Sequence, residues 1–151
     1  MIVISPYSKP SFEGKPSAKN YPFWKELVKL LPGDIVQIGL PEEERLVPDF
    51  RTYSLPELRE FIKEMDFYIS VDNFFPHFCH HYNRHGIVLW GTSDPKIFGY
   101  PENINLLKDS KYLRPDQFMW WKGEVANPDA FVSPEEIARI AEGVLNVIQS
   151  T

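Results

Sequence analysis

Two side chains able to bind a ligand or move a proton, Asp72 and His77, flank what reads as a strand-to-helix junction. The run Phe67-Tyr68-Ile69-Ser70-Val71 is apolar and of strand type, Asp72-Asn73 makes a short turn, and Pro76 is expected to open a helix. Such a corner delivers backbone N–H groups and the positive end of a helix dipole to the C-terminal edge of a sheet. Open α/β folds bind their ligands at that edge. Asp72 and His77 are expected at its lip, and an Asp–His pair working alone on a phosphate ester is one chemistry they allow.

Other residues compete for attention. His77, Cys79, His80 and His81 are ligand types that zinc uses. On one short helix, however, only His77 and His80 or His81 share a face, so no metal site is expected. Cys79 reads as a small buried hydrophobe. Neither the G-x-G-x-x-G of a dinucleotide fold nor the GxxxxGK[ST] of a P-loop is present. The loop after the first strand instead carries Lys9, Lys15 and Lys19. A phosphate at this edge would therefore be held by helix N-termini and lysine rather than by a glycine cradle. No G-x-S-x-G elbow follows any strand, which argues against a Ser–His–Asp hydrolase.

The elements that must position these residues follow from periodicity. Ile2-Val3-Ile4 is a short strand, and Ser5 to Asn20 a polar loop. Past Pro22, Trp24, Leu27, Val28, Leu30 and Leu31 form a helical face, ended by Pro32-Gly33. Asp34 to Ile38 is a second strand, followed by Gly39 and the acidic loop Pro41 to Arg45, with a short extended piece at Phe50-Arg51-Thr52. Ser54 is placed to cap a helix and Glu57 to close a capping box. Ile87 to Trp90 is a further strand, Gly91 to Pro95 a polar turn, and Ile104 to Leu107 an edge strand. Tyr112 to Phe131 reads as loop with at most a short helix near Pro115–Trp121. Ser133 caps a final helix with an apolar face of Ile137, Ile140, Ala141, Val144, Leu145 and Ile148. Strands alternating with helices predict one α/β domain: a three-layer, Rossmann-like parallel sheet with helices on both faces.

The totals agree with this. A chain of 151 residues suits one domain, and 43% hydrophobic with 25% charged residues suits a globular one. A net charge of −5 without a basic tract argues against nucleic-acid binding. The single cysteine excludes an internal disulfide and fits a reducing compartment. No apolar run approaches a membrane span, so a cytoplasmic location is expected.

Taken in order, Ser54-Leu55-Pro56-Glu57-Leu58, the strand into Asp72, His77 and Gly91-Thr92-Ser93-Asp94-Pro95 resemble one half of a known family. It is the C-terminal, nucleotide-sugar-binding half of family 9 glycosyltransferases, the heptosyltransferase-like enzymes of the GT-B fold. There the run is approximately D-[ST]-G-x-x-H, a strand, then G-x-T-[DE]-P. Lys19-Asn20-Tyr21-Pro22-Phe23-Trp24 is similar to the family's Lys-x-Trp-Pro element, and Gly39 to Arg45 to its glutamate-bearing loop. Most of residues 1–110 are covered.

The resemblance implies that residues 1–151 form a single GT-B-type C-terminal domain that binds a nucleotide sugar or nucleoside diphosphate. By position, Lys19 would pair with the diphosphate, and Glu42 or its neighbours Glu43 and Glu44 would meet the ribose or base. Asp72 would hold the donor sugar's hydroxyls or order the corner. Asn73 and the first N–H groups of its helix would reach the phosphates, with His77 close by and Ser93 and Asp94 beside them. A helix N-terminus with a lysine can stabilise a leaving nucleoside diphosphate without a metal or other cofactor. No catalytic residue is implied, because in GT-B enzymes the other half usually supplies the base. A separate N-terminal domain or a homo-oligomer would have to complete the site. One position departs from the pattern: Phe74 stands where the family has glycine. The alternative is a non-catalytic interaction domain of the same fold that has lost its ligand, with Phe74 filling the phosphate site and an aromatic surface that includes Trp120 or Trp121 meeting a protein partner.

Overall fold

The computed structural model describes residues 1–10, 14–118 and 126–151. Six strands form one sheet: β1 (Ile2–Ser5), β2 (Ile35–Ile38), β3 (Phe50–Arg51), β4 (Phe67–Val71), β5 (Gly86–Trp90) and β6 (Ile104–Leu107). Their order is β3-β2-β1-β4-β5-β6 and every pairing is parallel. The connections reverse direction between β1 and β4. A crevice opens beyond the C-terminal ends of the strands at such a switch point.

Among the described residues five α-helices cover the sheet: α1 (Trp24–Leu30), α2 (Leu55–Phe61), α3 (Phe74–His81), α4 (Pro95–Phe98) and α5 (Pro134–Gln149). Alternation along the strands sorts the two faces. Ile2, Ile4, Phe67, Ile69, Val71, Ile87 and Leu89 point into one core with Trp24 and Leu27 of α1 and Ile137, Ala141 and Leu145 of α5. Val3, Val36, Ile38, Tyr68, Val88 and Trp90 point into the other, with Leu58 and Phe61 of α2 and Phe75 and Cys79 of α3. The expected three-layer, Rossmann-like α/β architecture is the observed one.

Local signals account for most boundaries. Ser54 and Glu57 form the expected capping box on α2, and Ser133 caps α5 with Pro134 in the first turn. The helix after β4 begins at Phe74, two residues before Pro76, because Asn73 is its N-cap and Pro76 fits the first turn without losing a helical hydrogen bond. Asp94 caps α4, a short helix that begins at Pro95, the last residue of the expected turn. Residues 115–118 hold no helix, in keeping with the loop expected there, and the rest of the stretch near Pro115–Trp121 lies outside the described residues, as do Trp120 and Trp121. Among the described residues no helix is long and apolar enough to cross a membrane.

Candidate functional site

The crevice is built from the loops that leave β1, β4 and β5. The loop after β1 folds back over the β4–α3 corner and is pinned there. Ser8 Oγ donates to the Asp72 carbonyl, Ser8 N donates to Asn20 Oδ1 at 2.8 Å, and Trp24 Nε1 donates to the Pro6 carbonyl at 3.1 Å. This return brings Lys19, distant in sequence, to Asp72. Lys19 Nζ lies 3.0 Å from Asp72 Oδ2, with the lysine side chain 31% and the aspartate 12% exposed.

Asn73 holds the corner together. Its Oδ1 accepts from Phe75 N at 2.9 Å and lies 3.0 Å from Ser70 Oγ. Its Nδ2 faces the Ser5 carbonyl at 3.2 Å, Ser5 Oγ at 3.0 Å and the Tyr7 carbonyl at 3.2 Å. The side chain is thus engaged by the chain itself. The cap also occupies the Phe75 N–H, and Pro76 has none, so two of the first-turn donors of α3 are not offered to a ligand.

The third wall is the loop after β5. A shallow cleft here, with no room for a water molecule while Lys19 and Asp72 are paired, is lined by Lys19, Asp72, Leu89, Trp90, Gly91, Thr92 and Ser93. Gly91 lies against the Phe131 ring, where a Cβ would stand 2.6 Å from Cζ. That contact presses the loop down onto the core. Ser93 is buried and accepts from Arg114 Nη2 at 3.0 Å. Asp94 points away into the cap of α4, accepting from Lys96 N at 2.9 Å.

The remaining sequence candidates fall on the flanks. His77 Nδ1 is 2.6 Å from the Tyr100 hydroxyl, and His80 stacks on the same ring at 3.8 Å while pairing with Glu102 at 2.7 Å. His77 therefore faces the loop before β6 and does not line the cleft. Among the described residues no group of three or more His, Cys, Asp or Glu comes together as metal ligands. Phe74 is 54% exposed and stacks edge-on against Phe78; it too is outside the cleft lining.

Of the three glutamates after β2, Glu42 is exposed and Glu44 pairs with Lys25 at 3.2 Å in solvent. Glu43 turns inward. Its carboxylate occupies the space beside Gly39, where a Cβ would be 2.1 Å from Oε2. Burial raises the Glu43 pKa, a backbone hydrogen bond from Leu40 opposes this, and the charge of Glu42 adds to it. Burial, with Glu44 and Glu43 adding to it, pushes the nearby Tyr7 hydroxyl up to about 12. Buried Gln37 sets this loop by donating to the Glu44 carbonyl at 2.8 Å and accepting from Leu46 N at 2.7 Å.

Lys19, Asp72 and Ser93 thus meet in one cleft, Asn73 braces it from below, and Glu42, His77 and Asp94 point elsewhere. Sequence reasoning put Glu42 first and left Glu43 and Glu44 open without identifying Glu43 as the inward one, and it missed Ser8, Arg114 and Gln117. Periodicity carries no signal for polar residues whose partners lie in other loops. A larger cavity of about 280 Å³ opens at the opposite sheet edge, between the starts of β4, β5 and β6 and the side of α5. Its rim residues Arg84 and Glu102 are engaged by the Met65 carbonyl and His80, and it is remote from the switch point.

Comparison with solved structures bears on this geometry. The E. coli heptosyltransferase WaaC, solved with ADP, superposes with a TM-score of 0.65 at 17% identity over 95% of this chain. The fold is similar to that of one part of this heptosyltransferase. The dodecameric iron-containing heptosyltransferase TibC, solved with ADP-D-beta-D-heptose, matches with a TM-score of 0.57 at 14% identity over 99% of the chain. The chain spans 43% of the first and 45% of the second, less than half of each, consistent with the C-terminal half of a GT-B enzyme. No protein-family model and no curated protein matches the sequence. The expected resemblance to heptosyltransferases holds for the heptosyltransferase-like fold over nearly the whole chain.

Proposed function

We propose that this heptosyltransferase-like domain, as one unit over residues 1–151, binds the nucleoside diphosphate part of a nucleotide sugar at the β1/β4 switch point. The observation that carries this is the convergence of Lys19, Asp72 and Ser93 in one cleft at the strand ends. The WaaC and TibC structures described above were solved with ADP and ADP-D-beta-D-heptose, which supports the ligand class.

In this reading Lys19 leaves Asp72 for the diphosphate. The freed carboxylate of Asp72 accepts hydrogen bonds from the hydroxyls of the sugar. Ser93 and the backbone of Gly91 and Thr92 form the opposite wall, and Glu43, rather than the exposed Glu42, is the acidic group beside the β2 end for a ribose. Asn73 acts by holding the corner. No metal is assigned to the site. Glycosyl transfer would further require an acceptor-binding half that carries a base. The single, buried Cys79 suits a cytoplasmic setting.

The test is a thermal-shift screen of the protein against nucleoside diphosphates and nucleotide sugars, repeated on Lys19→Ala. A ligand that binds the folded state alone raises the melting temperature by mass action. The expected result is a rise with one nucleotide class that Lys19→Ala abolishes. No rise with any nucleotide at about 100 times a micromolar Kd, where about 2.7 kcal/mol of stabilisation is due, overturns the proposal.

A second reading is an interaction domain of the same fold. It is favoured by the aromatic stripe Phe74, Phe78 and Tyr82 along α3, whose rings contact in sequence and whose ends are 54% and 39% exposed. A failed nucleotide screen would move the weight to that stripe.

A further inference from the structure

We propose that Arg114 and Gln117 are positioning residues of the nucleotide site, acting through the loop that forms its β5 wall. The inference rests on the nucleotide reading above and assigns a function to a segment that has no element of its own.

The observation is a clasp between two stretches more than twenty residues apart. Arg114 N donates to the Thr92 carbonyl at 3.0 Å, and Arg114 Nε reaches the same oxygen at 3.4 Å. Gln117 Nε2 donates to the Thr92 carbonyl at 3.0 Å and to the Arg114 carbonyl at 3.1 Å. Gln117 Oε1 accepts from Asp94 N at 2.9 Å and from Arg114 Nη2 at 3.2 Å. Arg114 Nη2 also donates to Ser93 Oγ at 3.0 Å. One planar guanidinium and one planar amide thus address the outer polar groups of three successive residues, Thr92, Ser93 and Asp94.

Position makes this more than a loop contact. Thr92 and Ser93 line the cleft that holds Lys19 and Asp72. Phe131 presses on the preceding Gly91 from the core side. The wall is therefore clamped between an aromatic ring inside and the Arg114–Gln117 pair outside. A loop of polar residues has several conformations of similar energy, and tethering it in one lowers the ordering cost of binding. Small displacements of positioning groups weaken ligand contacts steeply. Neither side chain lines the cleft, so both act through Thr92–Asp94.

The experiment measures ADP affinity by calorimetry, and amide exchange at residues 92–94, for the full chain and three variants. Gln117→Leu removes donor and acceptor, Gln117→Glu keeps the acceptor for Asp94 N, and Arg114→Lys keeps the charge without the planar fork. Losing the tether should weaken ADP binding about tenfold in Gln117→Leu and Arg114→Lys, with Gln117→Glu between them and wild type. Exchange at Asp94 should accelerate in Gln117→Leu and not in Gln117→Glu, while exchange in β4 and β5 stays unchanged. A purely structural role would instead raise exchange throughout β5. ADP affinities within twofold of wild type in Gln117→Leu and Arg114→Lys overturn the inference and leave the nucleotide reading standing. Wild-type protein that binds no ADP overturns the nucleotide reading, and the inference falls with it. Should Gln117→Leu fail to fold, Arg114→Lys decides.

Discussion

Lys19 and Asp72 form an ion pair of 3.0 Å across the mouth of the cleft, so the cation best placed for a phosphate already holds a carboxylate. Binding of a diphosphate exchanges one anion for another at Lys19. The pair is partly exposed, and such pairs contribute about 0–1 kcal/mol. Asp72→Asn should therefore leave ADP affinity unchanged or raise it by up to about fivefold, while weakening a nucleotide sugar that needs the carboxylate. Parallel titrations of ADP and its sugar conjugate check this. Equal loss of both ligands would show that Asp72 holds the corner rather than the sugar.

Asn73 offers a stability test of the corner. Asn73→Ala removes the α3 cap and the amide that spans to Ser5 and Tyr7, with an expected cost of about 2 kcal/mol. Asn73→Asp keeps the cap but turns a carboxylate toward the Ser5 and Tyr7 carbonyls. It should be at least as damaging. Urea unfolding of both variants decides, and a fully stable Asn73→Asp would mean that the amide donors contribute nothing.

Phe74 is exposed and outside the cleft, so its bulk does not fill the proposed phosphate site. Phe74→Ser should cost less than about 1 kcal/mol and leave ADP affinity within about twofold of wild type. A large gain in affinity on removing the ring would instead identify Phe74 as an obstruction.

Glu43 predicts a pH dependence. Its pKa is raised on folding, chiefly by burial, so the folded state holds the proton more tightly than the unfolded state. Stability from this group is then greatest below the unfolded carboxyl pKa and falls as pH rises through the raised folded value. Glu43→Gln should remove that fall, becoming more stable relative to wild type at pH 7 than at pH 4. Melting curves at the two pH values test the sign. A difference that does not change with pH would mean that Glu43 titrates as an ordinary surface carboxylate.

The fold was legible because its signals are local. Ile2-Val3-Ile4, Asp34 to Ile38 and Phe67 to Val71 are apolar runs of strand length, and Ser54 with Glu57 announces a helix start wherever it occurs. The order of motifs from Lys19 to Asp94 also pointed to the heptosyltransferase-like sheet and to the edge where the loops gather. Position along the chain was enough to nominate Lys19, Asp72 and Ser93 together.

Direction was not legible, because it is set by partners in other loops. Glu42, Glu43 and Glu44 are chemically alike in sequence, and only the space beside Gly39 decides that Glu43 turns inward. Nothing local to Asn73 announces that its side chain is surrounded by Ser5, Tyr7 and Ser70. His77 sits one turn into its helix, yet Tyr100 draws its ring to the far flank. Arg114 and Gln117 lie in a stretch without periodicity, and their role depends on Thr92, Ser93 and Asp94 being brought beneath them. The sequence by itself determined the layers, the strand types and the sheet edge at which Lys19, Asp72 and Ser93 gather. Tertiary packing alone decided which polar side chains face the cleft, since hydrogen-bond partners are chosen by proximity in space rather than by distance along the chain.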